Sequence, residues 1–215
     1  MSKDSLRISE IFYSLQGEGK TVGIPTTFIR LTGCPLRCGY CDTEYAFYGG
    51  ETLSIDAIIE QVANLGARYI NVTGGEPLAQ KRVHRLMQTL CDEGYYVSLE
   101  TSGALDVSQV DPRVVKVLDV KTPGSGEMAK NLQANYPHLS KNDQVKYVIC
   151  DQADFEWSKE HMLQHQLNDQ CEVLFSPVQG QLAAKDLADW VLRDKLPVRF
   201  QIQLHKHLWG DQPGK

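Results

Sequence analysis

The 215-residue sequence contains no apolar run approaching the roughly 20 residues that a membrane-spanning helix needs. Its first residues, MSKDSLRISEIF, lack the basic, then apolar, then small-residue order of a secretory leader, so a cytoplasmic location is the default expectation. Basic charge is not in excess either: 22 Lys and Arg against 27 Asp and Glu give a formal net charge of -5. A general nucleic-acid binder needs a basic face to displace counterions from phosphates, which disfavours that class. A small anion remains a reasonable ligand, because a few buried Arg or Lys residues can capture one. No internal repeat, low-complexity tract or linker divides the chain, so a single domain over 1–215 is expected. Cysteines number only six, and under reducing conditions they read as ligands or core residues before disulfides.

What is present is alternation of short β-branched or aromatic runs with amphipathic stretches. TTFIRL (26–31), YINVT (69–73), YYVSLE (95–100), VVKVLDV (114–120), VKYVIC (145–150), CEVLFS (171–176) and VRFQIQL (198–204) read as strands. Helices are predicted over 54–66, with Ser54 as N-cap and Gly66 as stop, and over 78–93, 155–167 and 183–193. Strands separated by helices imply βαβ units and a mainly parallel sheet. About six such units fall short of the eight that close a barrel, and a full barrel typically needs about 250 residues. The expected class is therefore α/β, an open, partial TIM-like βα barrel of about six mainly parallel strands.

The chemistry-bearing motifs each follow the C-terminal end of a predicted strand, where parallel α/β folds gather their sites. Cys34-Pro-Leu-Arg-Cys38-Gly-Tyr-Cys41 is a C-x3-C-x2-C loop. Three thiolates so close in sequence suit one [4Fe-4S] cluster, which usually takes four, so one iron would stay open to another ligand. Structural zinc prefers four closed ligands with C-x2-C pairs and His partners, which this loop does not offer. Cys91, Cys150 and Cys171 are isolated and read as small core hydrophobes. Thr73-Gly74-Gly75-Glu76-Pro77 combines glycines that permit close backbone approach with a carboxylate able to accept from an ammonium group. Glu100-Thr101-Ser102-Gly103, Asp119-Val120-Lys121 with the turn Gly124-Ser125-Gly126, and Ser176-Pro177-Val178-Gln179 end three further strands. Each could equally be a capped turn. His205 and His207 alternate at the end of the last predicted strand, so they should share a face, as structural or substrate-lining residues.

The cysteine loop, with Tyr40 before its last Cys, resembles the signature of the radical S-adenosylmethionine (SAM) superfamily. The ordered set SLQGEG, FIRLTGC, CDT, TGGEP, ETSG, DVKTPGSGE and LHKHLWG, from about residue 11 to 210, resembles the 7-carboxy-7-deazaguanine synthase family within it. This resemblance implies a lyase-type radical reaction of deazapurine (queuosine) biosynthesis. In it 6-carboxy-5,6,7,8-tetrahydropterin is ring-contracted to 7-carboxy-7-deazaguanine with loss of ammonia.

It also implies a [4Fe-4S] cluster on Cys34, Cys38 and Cys41, and SAM on its open iron. SAM contacts would come from Tyr40, Gly75, Glu76, Gly103, Lys121, Ser125, Ser176 and Gln179. Substrate contacts would come from Leu15, Gln16, Gly17, Arg30 and Thr101, and Thr43 would bind Mg2+. Arg30 offers a planar fork suited to a carboxylate, and a hydroxyl is a suitable hard ligand for magnesium. Some relatives carry Ser-Pro-Lys where this chain has Asp119-Val120-Lys121, which makes Ser125 a substitute candidate. The chain continues past LHKHLWG through 211–215, which sets its tail apart from that of shorter relatives. The implied partners are the pterin, a reducing electron donor such as flavodoxin or ferredoxin, and a second copy of the chain in a homodimer, with no nucleic acid or membrane. Rival readings are a glycyl-radical-activating enzyme of the same superfamily, disfavoured by SLQGEG and CDT, and a non-catalytic metal-binding protein.

Overall fold

The computed structural model describes residues 4–210, together with 212 and 214. The first three residues of the leader reading, and 211, 213 and 215 of the tail, lie outside the described residues. The strands are β1 (Ser5–Leu15), β2 (Pro25–Leu31), β3 (Glu51–Ser54), β4 (Tyr69–Gly74), β5 (Tyr96–Thr101), β6 (Val115–Val120), β7 (Gln144–Ile149), β8 (Glu172–Pro177) and β9 (Arg199–Phe200). The helices are α1 (Ile55–Leu65), α2 (Val83–Asp92), α3 (Gln152–Gln164), α4 (Leu167–Gln170), α5 (Ala184–Arg193) and α6 (Leu204–Trp209). All strands join one open sheet in the order β3-β1-β2-β4-β5-β6-β7-β8-β9. From β2 to β9 neighbours pair in parallel, while β1 pairs antiparallel with both β2 and β3. This is the expected open, mainly parallel βα sheet, extended by an antiparallel edge. None of the described helices is long and apolar enough to cross a membrane.

Alternation along the strands sorts the two faces of the sheet. Ile29 and Leu31, Ile70 and Val72, Val97 and Leu99, Val145 and Tyr147, and Val173 and Phe175 are buried in a single apolar cluster. The helices meet them there with Ile58 and Val62 of α1, Leu86 and Leu90 of α2, Phe155 and Met162 of α3, and Leu187 of α5. Residues of the opposite parity, among them Arg30, Asn71, Thr73, Glu100, Asp119 and Lys146, line a cavity on the other face. The apolar core therefore lies on one side of the sheet, and the other side carries the charged and polar residues together with Phe12 and Phe28.

Local chemistry explains several boundaries. Ser54 caps α1 by accepting from the Ala57 N–H at 3.1 Å, and Gly66 ends it in the left-handed conformation at φ 73°. Both caps were legible in advance. The helix expected over 78–93 starts late, because 77–79 form a 3-10 turn tied to the Glu76 carboxylate through the Leu78 N–H at 3.0 Å.

Three strand expectations need correction. β1 and β3 were not anticipated, and a register shift between Ile8 and Glu10 interrupts the alternation that would have betrayed β1. The strand expected over 198–204 shrinks to Arg199–Phe200. The chain then leaves the sheet: the Leu204 N–H reaches the Gly17 carbonyl at 3.0 Å and α6 begins. His205 and His207 are thus helical, and two residues apart on a helix they do not share a face. His205 lines the cavity, whereas His207 is exposed and does not.

Candidate active site

The cysteine loop leaves β2 at Gly33, whose φ of 98° favours glycine. Neighbouring loops tie it down through backbone bonds. The Glu76 N–H donates to the Gly33 carbonyl at 2.8 Å, Gly75 to Leu31 at 3.2 Å, and Gly39 to the Ser125 carbonyl at 3.0 Å. A Cβ on Gly75 would stand 2.4 Å from the Gly33 carbonyl oxygen and 2.7 Å from the Cys34 Cβ, so only glycine lets the two loops touch.

Cys34, Cys38 and Cys41 are half-buried on the wall of one cavity of about 790 Å³. Burial raises the pKa of all three thiols, and the Lys121 ammonium works against that rise. Among the described residues, no three His, Cys, Asp or Glu side chains are gathered to hold a single ion. A cluster instead spreads its thiolates over separate irons. Three thiols on one pinned loop, beside a buried Tyr40 hydroxyl and an Asp119 Oδ1 that both lack partners, are a donor set and setting that fit such a cluster and a bound ligand.

Lys121, at the end of β6, lines the same wall. Its Nζ lies 2.8 Å from Asp119 Oδ2 and 5.9 Å from the Tyr40 ring centroid. Burial alone would lower its pKa, but Asp119, Tyr40 and Cys38 outweigh it and hold the ammonium charged. Burial, helped by Asp119, also pushes the Tyr40 phenol well up.

Several expected residues sit behind the wall rather than on it. Glu76 is fully buried and absent from the cavity lining. Its carboxylate accepts from the Leu78 N–H, from the Thr101 hydroxyl at 3.0 Å, and from the N–H and hydroxyl of Ser102 at 2.7 and 2.5 Å. Thr101 and Ser102 themselves line the cavity, as do Gly74 and Gly75. Ser125 is 1% exposed and its hydroxyl donates to the Thr122 carbonyl at 2.6 Å, so it locks a turn away from the cavity. Gly103 likewise lies off the lining, at φ 73°, its carbonyl accepting from Asn135 Nδ2 and the Leu132 N–H. Ser176 is buried with an unpartnered hydroxyl, again off the lining, whereas Gln179 is an exposed lining residue.

The same cavity is lined by the residues expected to meet substrate, Leu15, Gln16, Gly17, Arg30 and Thr101, and by Thr43, the expected Mg2+ ligand. Arg30 Nε donates to Glu10 at 2.7 Å, and its guanidinium lies 5.9 Å from the Phe12 ring and 5.8 Å from the Tyr45 ring. Arg30 is thus both ion-paired on its strand and part of the cavity lining. Thr43 donates to Asp42 at 2.6 Å. Asp42 also meets Lys206 at 3.1 Å and Gln203 at 3.3 Å. Burial would raise the Asp42 carboxyl, but the Thr43 bond and the Lys206 charge hold it well below the usual range. Gly17 packs directly under His205: a Cβ there would fall 2.0 Å from its Nδ1.

Sequence reading missed a buried charge cluster on the cavity floor. Lys146 Nζ lies 2.7 Å from Glu18 Oε2 and 3.3 Å from Glu100 Oε2. Burial pulls against the Glu18 charge, yet Lys146 keeps that carboxyl lowered. Glu100 is raised by burial and by the neighbouring Glu18 charge, against the pull of Lys146. Asn71 Nδ2 donates to Ser98 at 3.1 Å and lies 3.5 Å from Glu100, while its Oδ1 has no partner. Glu18 and Glu100 belong to quoted motifs, but nothing near Lys146 or Asn71 in sequence marks them.

Known proteins resemble this chain along most of its length. Residues 28–119 match the radical SAM superfamily. The 7-carboxy-7-deazaguanine synthase of Chlorobaculum tepidum is 46% identical over 209 residues, covering 95% of this chain and 94% of that one. Its namesake from Koribacter versatilis is 43% identical, covering 95% and 97%. Among solved structures, QueE from Escherichia coli superposes with a TM-score of 0.77 at 22% identity, over 94% of this chain and 95% of that one. Streptococcus suis SuiB bound to S-adenosylmethionine gives a TM-score of 0.56 at 12% identity, over 80% of this chain and 45% of that one. At such identities the two structures speak for the fold alone.

Proposed function

Because this chain belongs to the 7-carboxy-7-deazaguanine synthase family of the radical SAM superfamily, we propose that it converts 6-carboxy-5,6,7,8-tetrahydropterin to 7-carboxy-7-deazaguanine with loss of ammonia. One observation carries the reading: whole-length likeness to synthases of that name coincides with three thiols and a charged polar floor on one cavity. The glycyl-radical activase and the non-catalytic metal protein are both less favoured by that coincidence.

When bound at Cys34, Cys38 and Cys41, a [4Fe-4S] cluster with SAM supplies the radical that removes hydrogen from the substrate. The chain's own residues orient and enclose. Lys121 lies beside the cysteine loop that carries Tyr40, the Gly74–Gly75 backbone with Ser102 forms the adjoining wall for SAM, with Gln179 at its edge, and Thr101 is a substrate contact. Glu76 acts through Thr101 and Ser102, a positioning role in place of the direct contact expected from sequence. Gly103, Ser125 and Ser176 are likewise assigned to supporting the wall. On the other side, Arg30 takes the substrate carboxylate, and Leu15, Gln16 and Gly17 border the ring. The Thr43 hydroxyl, oriented by Asp42, is the protein ligand for Mg2+, which keeps waters and takes further ligands from substrate. The same reading includes a cytoplasmic homodimer and an external electron donor such as flavodoxin or ferredoxin.

The test is anaerobic incubation of the reconstituted protein with reductant, SAM, Mg2+ and 6-carboxytetrahydropterin, followed by product mass. A ring-contracted, ammonia-depleted product is expected. Reductive SAM cleavage without it would retain the superfamily and overturn the pterin assignment.

A further inference from the structure

The cavity floor carries more polar chemistry than the proposed reaction has used so far. Glu18 is held closely by Lys146 at 2.7 Å, with its side chain only 10% exposed. Glu100 is different: its protein contacts are long, 3.3 Å to Lys146 and 3.5 Å to Asn71, and its side chain is 23% exposed on the cavity. Beside it Asn71, 1% exposed, presents a buried Oδ1 with no partner. A buried acceptor left unpaired is costly, so a donor from a bound ligand is the natural occupant.

The surroundings fit a flat heterocycle. Phe12 and Phe28 stack at 4.9 Å with an interplanar angle of 8°, both on the cavity wall, and Phe28 is the register partner of Asn71. Arg30 pairs with Thr73 of β4, and Val72 pairs with Leu99 of β5, which places Glu100 one residue further along. Arg30 and Glu100 thus stand at about the same height, two strand spacings apart, or roughly 10 Å at the backbone. A pterin with a 6-carboxylate spans a comparable distance. It has an anion at one end and, at the other, an aminopyrimidinone edge bearing N3–H and a 2-amino group as parallel donors.

We infer that Glu100, with Asn71, is the specificity pair that reads the aminopyrimidinone edge of the substrate, the carboxylate accepting from N3–H and the 2-amino group and Asn71 Oδ1 from an amino hydrogen. Lys146 and Glu18 act behind it: the ammonium fixes the direction of Glu100, and Glu18 balances that ammonium so that one negative charge remains toward the ligand. This inference rests on the pterin assignment.

A ligand pair that differs only at this edge tests it. In 6-carboxylumazine a 2-oxo group replaces the 2-amino group of 6-carboxypterin, so an acceptor would face the carboxylate. Calorimetric titration of the cluster-loaded, SAM-bound protein should give about 100-fold tighter binding of 6-carboxypterin, because buried polar groups built for donors reject an analogue that lacks them. Glu100→Gln offers an amide donor to the 2-oxo group and should bring the preference below about tenfold, whereas Glu100→Asp should keep its direction. Iron content and circular dichroism confirm that each variant is folded.

Equal wild-type affinity for the two ligands overturns the inference without recourse to any variant. So does an unchanged preference in Glu100→Gln. If wild type forms the ring-contracted product while showing no preference, this pair is wrong and the reaction stands. If wild type forms no such product, the pterin assignment falls and the inference falls with it.

Discussion

The Ser102 N–H and hydroxyl both donate to the Glu76 carboxylate, at 2.7 and 2.5 Å. The glutamate of the Gly-Gly-Glu loop therefore braces the wall from behind instead of facing the cavity. Glu76→Ala would leave the Thr101 and Ser102 donors buried without an acceptor, at a cost of about 3–5 kcal/mol in stability. Urea denaturation should show that loss, and SAM affinity should fall at least tenfold in whatever fraction folds. An unchanged denaturation midpoint with weakened SAM binding would instead restore the glutamate to direct contact.

Gly75→Ala tests the seam between the two loops. The added Cβ meets backbone at 2.4 Å, which cannot swing aside. The cysteine loop should be displaced and iron retention after anaerobic reconstitution should fall below half of wild type. Full iron content in this variant would mean that the seam is not needed to hold the cluster.

Gly17→Ala acts at the other end of the cavity. The methyl group would occupy the place of the His205 ring, which must move. With His205 at the wall and α6 tied to Gly17 through Leu204, the KM for the pterin should rise about tenfold or more, with a smaller change in kcat. A kcat effect alone would argue against the tail helping to shape the substrate site.

Acid sensitivity should come from a histidine far from any proposed chemistry. His161 is 8% exposed, lies 3.2 Å from the Tyr136 hydroxyl and 2.8 Å from the Tyr147 hydroxyl, and stacks on Trp157. Burial, with help from His165, lowers its pKa to about 4. The unfolded chain binds a proton near pH 6.5 while the folded chain does not until about pH 4. Stability from this group is therefore complete above about pH 6.5 and is lost as pH falls toward 4, by up to about 3 kcal/mol. Denaturation midpoints at several pH values, compared with His161→Gln, check the sign. A variant whose stability falls as steeply as wild type over that window would exonerate His161.

The features that proved legible are those whose determinants lie close together in the chain. The Ser54 and Gly66 caps stand at the ends of a single amphipathic stretch, and the three cysteines belong to one loop. The parallel strands announced themselves because one face of each carries Ile, Val or Leu against helices. β1 stayed hidden because its register shifts midway, and 201–204 read as a continuation of the last strand because local alternation gave no hint of the Gly17 carbonyl that draws the chain out of the sheet. The Lys146–Glu18 pair joins residues 128 positions apart, a proximity that only the fold creates. The Glu76 motif was legible, but the direction of its carboxylate was not, since which way it turns depends on partners at and beyond the end of β5.

The alternation of β4 separates two kinds of inheritance. Ile70 and Val72 hold the sheet to its helices, while Asn71 and Thr73, interleaved with them, face the cavity. Point changes at the second set can alter which molecule is accepted without touching the first, so ligand preference can drift across a lineage while the scaffold stays put. Insertion or deletion of one residue within the strand exchanges the two sets, putting Ile70 and Val72 toward the ligand and Asn71 against the apolar layer. Related genes should therefore differ at the inward positions by substitution and confine their changes in length to the loops.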